Sequence, residues 1–280
     1  MGQGQELIRA LQSKQYSKAK RLIDEGADAK TRGQWGYTPL HYAAMNTLTY
    51  DARQRIAEGM PEAMAKLLIN RGAIVDARTG QDAGDLSEAT PLHFAAFSGN
   101  TGVVKLLIAN RANVNAKAKA GITPVIMAIE ERRLGAAEVL LRHGAKLEPS
   151  DIRDKRRRPQ DIWGGATLLH RSSGSIDRSS LFVVELLISL GADVNARDDH
   201  GRTPLMDAVL GSYGDVLALL LAKGANAGYQ DRDGETALSI AEQGSGRGWA
   251  IPVLQGPANE SALKTAAPKL PAKRWWKIWT

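Results

Sequence analysis

Gly36-Tyr37-Thr38-Pro39-Leu40-His41-Tyr42-Ala43-Ala44 is the stretch whose reading decides the fold. Thr38 has the side chain of a helix cap, able to satisfy amides that lack a helical partner. Pro39 follows where a helix begins, a position at which its missing N–H costs nothing. The spacing predicts a short helix opening at Pro39. Working outward, the same signature returns at Thr90-Pro91-Leu92-His93, Thr123-Pro124-Val125, Thr167-Leu168-Leu169-His170, Thr203-Pro204-Leu205 and Thr236-Ala237-Leu238. Successive threonines are 52, 33, 44, 36 and 33 residues apart, which is a 33-residue period with insertions. A fixed period of that length marks stacked supersecondary units.

A second signature closes each unit. Ala65-Lys66-Leu67-Leu68-Ile69-Asn70-Arg71-Gly72-Ala73 has counterparts ending in Gly144-Ala145, Gly191-Ala192 and Gly224-Ala225, and Gly26-Ala27 closes an incomplete first unit. Glycine after an apolar helix suits the left-handed residue that ends it. Arg111 stands where that glycine is expected, so the helix end there is expected to be strained or differently shaped. The paired leucines need a neighbouring unit to cover them, because one unit cannot bury its own apolar face.

With both motifs recurring in fixed order, residues 5 to 255 resemble the ankyrin-repeat family. The resemblance implies an all-α fold: a solenoid of stacked helix-turn-helix units with hairpin-like fingers. The expected organisation is a cap over 5–33, then repeats near 34–78, 86–117, 118–148, 163–197 and 198–230. A partial repeat over 231–255 and a basic, Trp-rich tail over 256–280 complete it. Stretches such as Val75-Asp76-Ala77-Arg78, Val114-Asn115-Ala116-Lys117 and Asp193-Val194-Asn195-Ala196-Arg197 lead into the fingers.

Three insertions interrupt the period: Met45 to Pro61 between two helices, Thr79 to Glu88 in a finger, and Pro149 to Trp163 with its Arg153–Arg158 run. Insertions in such arrays map to exposed loops and often to the binding face, although long surface loops are also tolerated at little entropic cost.

The residue inventory argues against catalysis. The absence of cysteine excludes disulfides, a thiol nucleophile and cysteine-ligated zinc. His41, His93 and His170 share one repeat position, for which the resemblance implies a structural hydrogen-bonding role; His143 sits at a helix end, and the five histidines make no metal pair. Ser172-Ser173-Gly174-Ser175 lacks a Gly-x-Ser-x-Gly elbow. Gly244-Ser245-Gly246-Arg247-Gly248 lacks the Gly-Lys-Ser/Thr ending of a phosphate loop. No catalytic residue, cofactor, metal or small-molecule substrate is expected. Nucleic acid is not expected either, since the Arg153–Arg158 run is interleaved with acids and the repeats lack a broad basic face.

Net charge is +7, of which the stretch after Gln255 supplies +4 through Lys264, Lys269, Lys273, Arg274 and Lys277 against Glu260, leaving +3 for the rest. No apolar run is long enough to span a bilayer, and the first residues lack a signal-peptide pattern. Glu6 stands where a myristoylation site needs Ser or Thr. These features predict a cytoplasmic protein. Lys273, Arg274, Trp275, Trp276, Lys277 and Trp279 suit weak contact with an anionic membrane. The same stretch could be a peptide recognised by a partner, or could fold over the end of the stack.

The resemblance implies a concave surface of finger tips and first helices that binds a partner protein. By repeat position its residues are Trp35, Tyr37, Met45, Leu86, Phe97, Lys119, Ile122, Glu130, Trp163, Arg171, Arg202, Asp207 and Leu210. The expected function is a scaffold or inhibitor, with toxin neutralisation as one instance. The alternative is a membrane-surface adaptor docked by the tail.

Overall fold

A computed structural model describes residues 2–45, 60–147, 165–175, 179–211 and 214–256. The described residues form helices, 3-10 turns and loops, with no strand. They divide into two compact units, Met1–Glu148 and Pro149–Thr280. Of the insertions, residues 46–59 and 149–163 lie outside the described residues, as do residues 257–280 of the tail.

Unit 1 contains α1 (Gln3–Gln12), α2 (Tyr16–Asp24), α3 (Pro39–Ala44), α4 (Met60–Asn70), α5 (Pro91–Ser98), α6 (Thr101–Ala109), α7 (Pro124–Glu130) and α8 (Leu134–Arg142). They pack in antiparallel pairs, and the pairs stack. The inner row runs α1, α3, α5, α7 and the outer row α2, α4, α6, α8. Leu7, Ile23, Leu40, Leu68, Leu92, Leu107, Leu134 and Leu140 are completely buried between pairs. Leu40 and Leu92 belong to the opening motif and Leu68, Leu107 and Leu140 to the closing one, so the period in sequence is the period of the core.

Unit 2 repeats the plan with α9 (Leu168–Ser173), α10 (Ser180–Ser189), α11 (Pro204–Gly211), α12 (Gly214–Ala222), α13 (Ala237–Gln243) and α14 (Ala250–Gln255). Its inner row is α9, α11, α13 and its outer row α10, α12, α14. Val183, Val184, Leu187, Leu217 and Leu220 are buried there. Ser172 and Ser173, in place of the usual alanines, are buried beside the close approach of Gly174 and Gly211. The second helix of the last pair is only six residues long, as its glycines and Pro252 predict.

The histidines tie one pair to the next. The Thr38 backbone N–H reaches His41 Nδ1 at 3.1 Å, and the Thr38 hydroxyl lies 2.8 Å from the same atom. An N–H can only donate, so Nδ1 is unprotonated and the ring proton sits on Nε2. Nε2–H then donates to the Ala89 carbonyl of the following repeat at 3.2 Å. Thr90–His93–Ile122 repeats the arrangement at 3.1 and 3.1 Å, and Thr167–His170–Arg202 at 3.2 and 3.0 Å. In the third repeat Ile126 replaces the histidine, and Thr123 Oγ1 is buried without a hydrogen-bond partner.

Helix α6 ends like its neighbours despite Arg111. The Ala112 N–H bonds the Leu107 carbonyl at 3.0 Å, matching Ala73 to Leu68 at 3.0 Å. Arg111 therefore keeps the shape by adopting φ 65°, where Gly72 has φ 83°. A side chain in that region costs about 1–2 kcal/mol, while glycine loses about 0.5–1 kcal/mol more chain entropy on folding. Arg111→Gly is expected to stabilise the protein by up to about 1 kcal/mol, read as a higher urea midpoint. A lower midpoint would mean that the Arg111 side chain contributes more than its backbone strain costs.

Candidate functional site

Three kinds of hydrogen bond brace the fingers. Each finger closes on itself, with Gly33 N–H bonding Tyr37 O at 2.8 Å, Ala118 N–H bonding Ile122 O at 2.8 Å and Asp198 N–H bonding Arg202 O at 3.0 Å. A basic residue at one repeat position then reaches the equivalent carbonyl of the next finger. Arg32 bonds Arg78 O at 2.9 Å, Arg78 bonds Lys117 O at 2.8 Å, and in unit 2 Arg197 bonds Gln230 O at 2.5 Å. Asparagines add a further tie: Asn115 Nδ2 donates to Gly144 O, and Asn195 Nδ2 to Gly224 O, both at 3.1 Å. Sequence reasoning missed this clamp, although a basic residue follows Ala77, Ala116 and Ala196 alike.

The lengthened finger, Thr79 to Glu88, folds onto itself. Ser87 Oγ donates to Gln81 O and Gly84 O at 2.6 and 2.7 Å, and Thr79 Oγ1 donates to Leu86 O at 2.5 Å. Its flanks touch both neighbours: Gly80 N–H bonds Trp35 O at 2.7 Å, and Lys119 N–H bonds Ser87 O at 3.0 Å. Gly36 makes that approach possible. It has φ 75°, and a Cβ there would lie 2.8 Å from Gly80 N.

Trp35 occupies the tip of the first finger. With Trp35 at φ 55° and Gly36 at φ 75°, residues 34–37 form a turn with two successive left-handed residues. For a bulky side chain that conformation is an outlier. Trp35 is nonetheless 53% exposed, its ring meeting Tyr37 edge-on with centroids 6.4 Å apart. Tyr37 in turn packs on Tyr42 at 5.5 Å, Phe94 at 5.3 Å and His41 at 5.8 Å. An aromatic cluster thus runs from solvent into the core, and its outer member is held out by a clamped finger.

The other expected face residues divide. In unit 1, Lys119 is exposed, while Met45, Leu86, Phe97 and Ile122 are half-buried. Tyr37 and Glu130 are corrections to the expected exposed face, at 8% and 5% exposure. Tyr37 is drawn inward by Phe94 and His41, and every residue of α7, ending at Glu130, is buried. In unit 2, Arg171 and Leu210 are half-buried. Asp207 is a third correction, at 8% exposure on α11. Arg202 is a fourth: its side chain, 13% exposed, pairs with the buried Asp231 carboxylate at 3.6 Å. Trp163, Lys273, Arg274, Trp275, Trp276, Lys277 and Trp279 lie outside the described residues.

His41 and His93 are neutral structural groups. Burial, the larger influence, pushes each down to about 4, against the opposing effect of their backbone bonds. Among the described residues no group of three His, Asp or Glu side chains could hold a metal ion, and no helix is long and apolar enough to cross a membrane.

Comparison with known proteins gives one consistent result. Residues 50–151 match a model of ankyrin repeats in three copies, residues 164–199 a single ankyrin repeat, and residues 187–241 a many-copy ankyrin model. The chain is 27% identical over 239 residues to ZDHHC13 of Danio rerio, described as a palmitoyltransferase, covering 85% of this chain and 32% of that protein. It is 28% identical over 184 residues to transient receptor potential cation channel subfamily A member 1 of Homo sapiens, covering 55% of this chain and 16% of the channel. The chain therefore spans about a third of one relative and about a sixth of the other. Among solved structures, the human ASB11 ankyrin repeat domain matches with a TM-score of 0.54 at 25% identity, over 90% of this chain and 98% of that one.

Proposed function

This chain belongs to the ankyrin-repeat family, and from that premise we propose that it works by holding a partner protein on the fingers and inner helices of unit 1. The role is that of a cytoplasmic scaffold or inhibitor, acting by binding rather than by catalysis. The palmitoyltransferase and channel names belong to the relatives, most of whose length this chain does not cover.

The observation that supports this reading is Trp35. A half-exposed indole is a loss in water, and its backbone carries the strain of a left-handed conformation. Tryptophan is the residue type most enriched among binding hot spots. A clamped finger holds the ring before a partner arrives, which lowers the entropy cost of association. Lys119 and the half-buried Met45, Leu86, Phe97 and Ile122 supply the surrounding contacts.

The exposed part of the indole is on the order of 100 Å², and its burial contributes about 2–3 kcal/mol. The test is capture from a lysate of the source organism by the full chain, followed by titration of the retained protein. Trp35→Ala is expected to weaken that protein's affinity about 30-fold or more, with the thermal transition unchanged. An affinity within about twofold of the unaltered chain would remove Trp35 from the interface.

A further inference from the structure

The outer helices of unit 1 carry a feature that partner binding through the fingers does not use. Counting back six residues from the helix-ending position (Gly26, Gly72, Arg111) gives Lys20 on α2, Lys66 on α4 and Lys105 on α6. These helices are stacked neighbours, so the three lysines stand in register, roughly 10 Å apart at packed-helix spacing. All three are exposed. The other basic side chains within the outer-row helices are ion-paired: Lys18 with Glu6 at 2.8 Å, Arg21 with Glu25 at 3.7 Å and Arg142 with Glu138 at 2.5 Å; Arg71, just past α4, pairs with Asp24 at 3.1 Å. Lys20, Lys66 and Lys105 have no ion pair among the described residues. The row ends at α8, where Glu138 takes the same position.

Ile69 and Ile108 follow Lys66 and Lys105 by three residues, which places each on the same helix face. Both are half-buried, whereas Ile23, the equivalent residue on α2, is completely buried. The ladder is therefore cationic with an apolar shoulder.

We propose that this lysine ladder docks unit 1 on an anionic lipid bilayer. A bilayer is a continuous sheet of negative charge, so it neutralises the ladder without matching its spacing. A discrete acidic segment of a protein would have to match the repeat of the ladder. Bound in this way, the outer row meets lipid and the finger tips of unit 1 remain available.

The full chain is to be sedimented with phosphatidylcholine vesicles, with and without phosphatidylserine. Binding is expected only where phosphatidylserine is present, falling as salt is raised. Changing Lys20, Lys66 and Lys105 together to Gln is expected to weaken binding about a hundredfold, given the contribution of each lysine near an anionic surface. The side chains are exposed and unpaired, so the thermal transition should not move. The matching triple change to Arg keeps the charge and should keep the binding. Equal binding by the Gln variant would overturn the proposal. So would a wild-type chain that ignores phosphatidylserine, including one that binds an acidic polyglutamate peptide instead.

Discussion

Acidification from pH 7 to pH 4 is expected to destabilise unit 1 by several kcal/mol. His41 and His93 have folded values of about 4 against an ordinary 6.5. Between those values the unfolded chain binds protons that the folded chain refuses, so stability rises with pH across that window. Their contribution is complete above about pH 6.5, is lost as the pH falls toward 4, and changes no further below that. A depression of that size amounts to on the order of 3 kcal/mol per histidine. The physical event is definite. A proton on Nδ1 would face the backbone N–H of Thr38 or Thr90, and that bond would be lost from a site closed to water. Urea unfolding at pH 7, 5.5 and 4 reads the effect. In a His41→Gln/His93→Gln variant the slope across this window should nearly vanish. A slope equal to that of the unaltered chain would place the acid sensitivity elsewhere.

Removing the Phe94 ring should have the next largest effect. Phe94 is 1% exposed and meets Tyr37 and His41 edge-on at 5.3 and 5.2 Å, joining the first repeat to the second. Phe94→Ala is expected to cost about 3–5 kcal/mol from lost transfer energy and the cavity left behind. Phe97→Ala, three residues on and half-buried, should cost well under half as much. Hydrogen exchange should show the loss concentrated in α3 and α5. Tyr37 also supports Trp35, so Phe94→Ala should loosen the first finger. Comparable costs at the two positions would mean that the aromatic cluster is not the bond between these repeats.

The architecture was legible because its signals are local and repeated. Thr-Pro-Leu-His and the closing Gly-Ala mark helix ends by backbone chemistry that does not depend on neighbours. Arg111 was legible as a strained position for the same reason. The candidate face was legible only in part, because repeat position fixes where a Cα lies and not what covers the side chain. Of the positions equivalent to Tyr37, Ile122, Arg202 and Glu235 are half-buried, and only the small Ala89 and Ala166 are also buried. Tyr37 is deeper because the next repeat carries Phe94, a contact between residues far apart in sequence. Glu130 and Asp207 are hidden by helix packing, and Arg202 is engaged by an aspartate one repeat later. Trp35 escaped such capture because the turn and the Gly36–Gly80 approach project it from the tip.

The claim that a partner sits on the first finger is tested most directly by hydroxyl-radical footprinting of the full chain, alone and with the captured protein. Strong protection of Trp35 is expected, with smaller protection of Met45 and Phe97, and unchanged oxidation along α2, α4 and α6. Oxidation of Trp35 at the same rate in both samples, with protection on the outer helices instead, would contradict it.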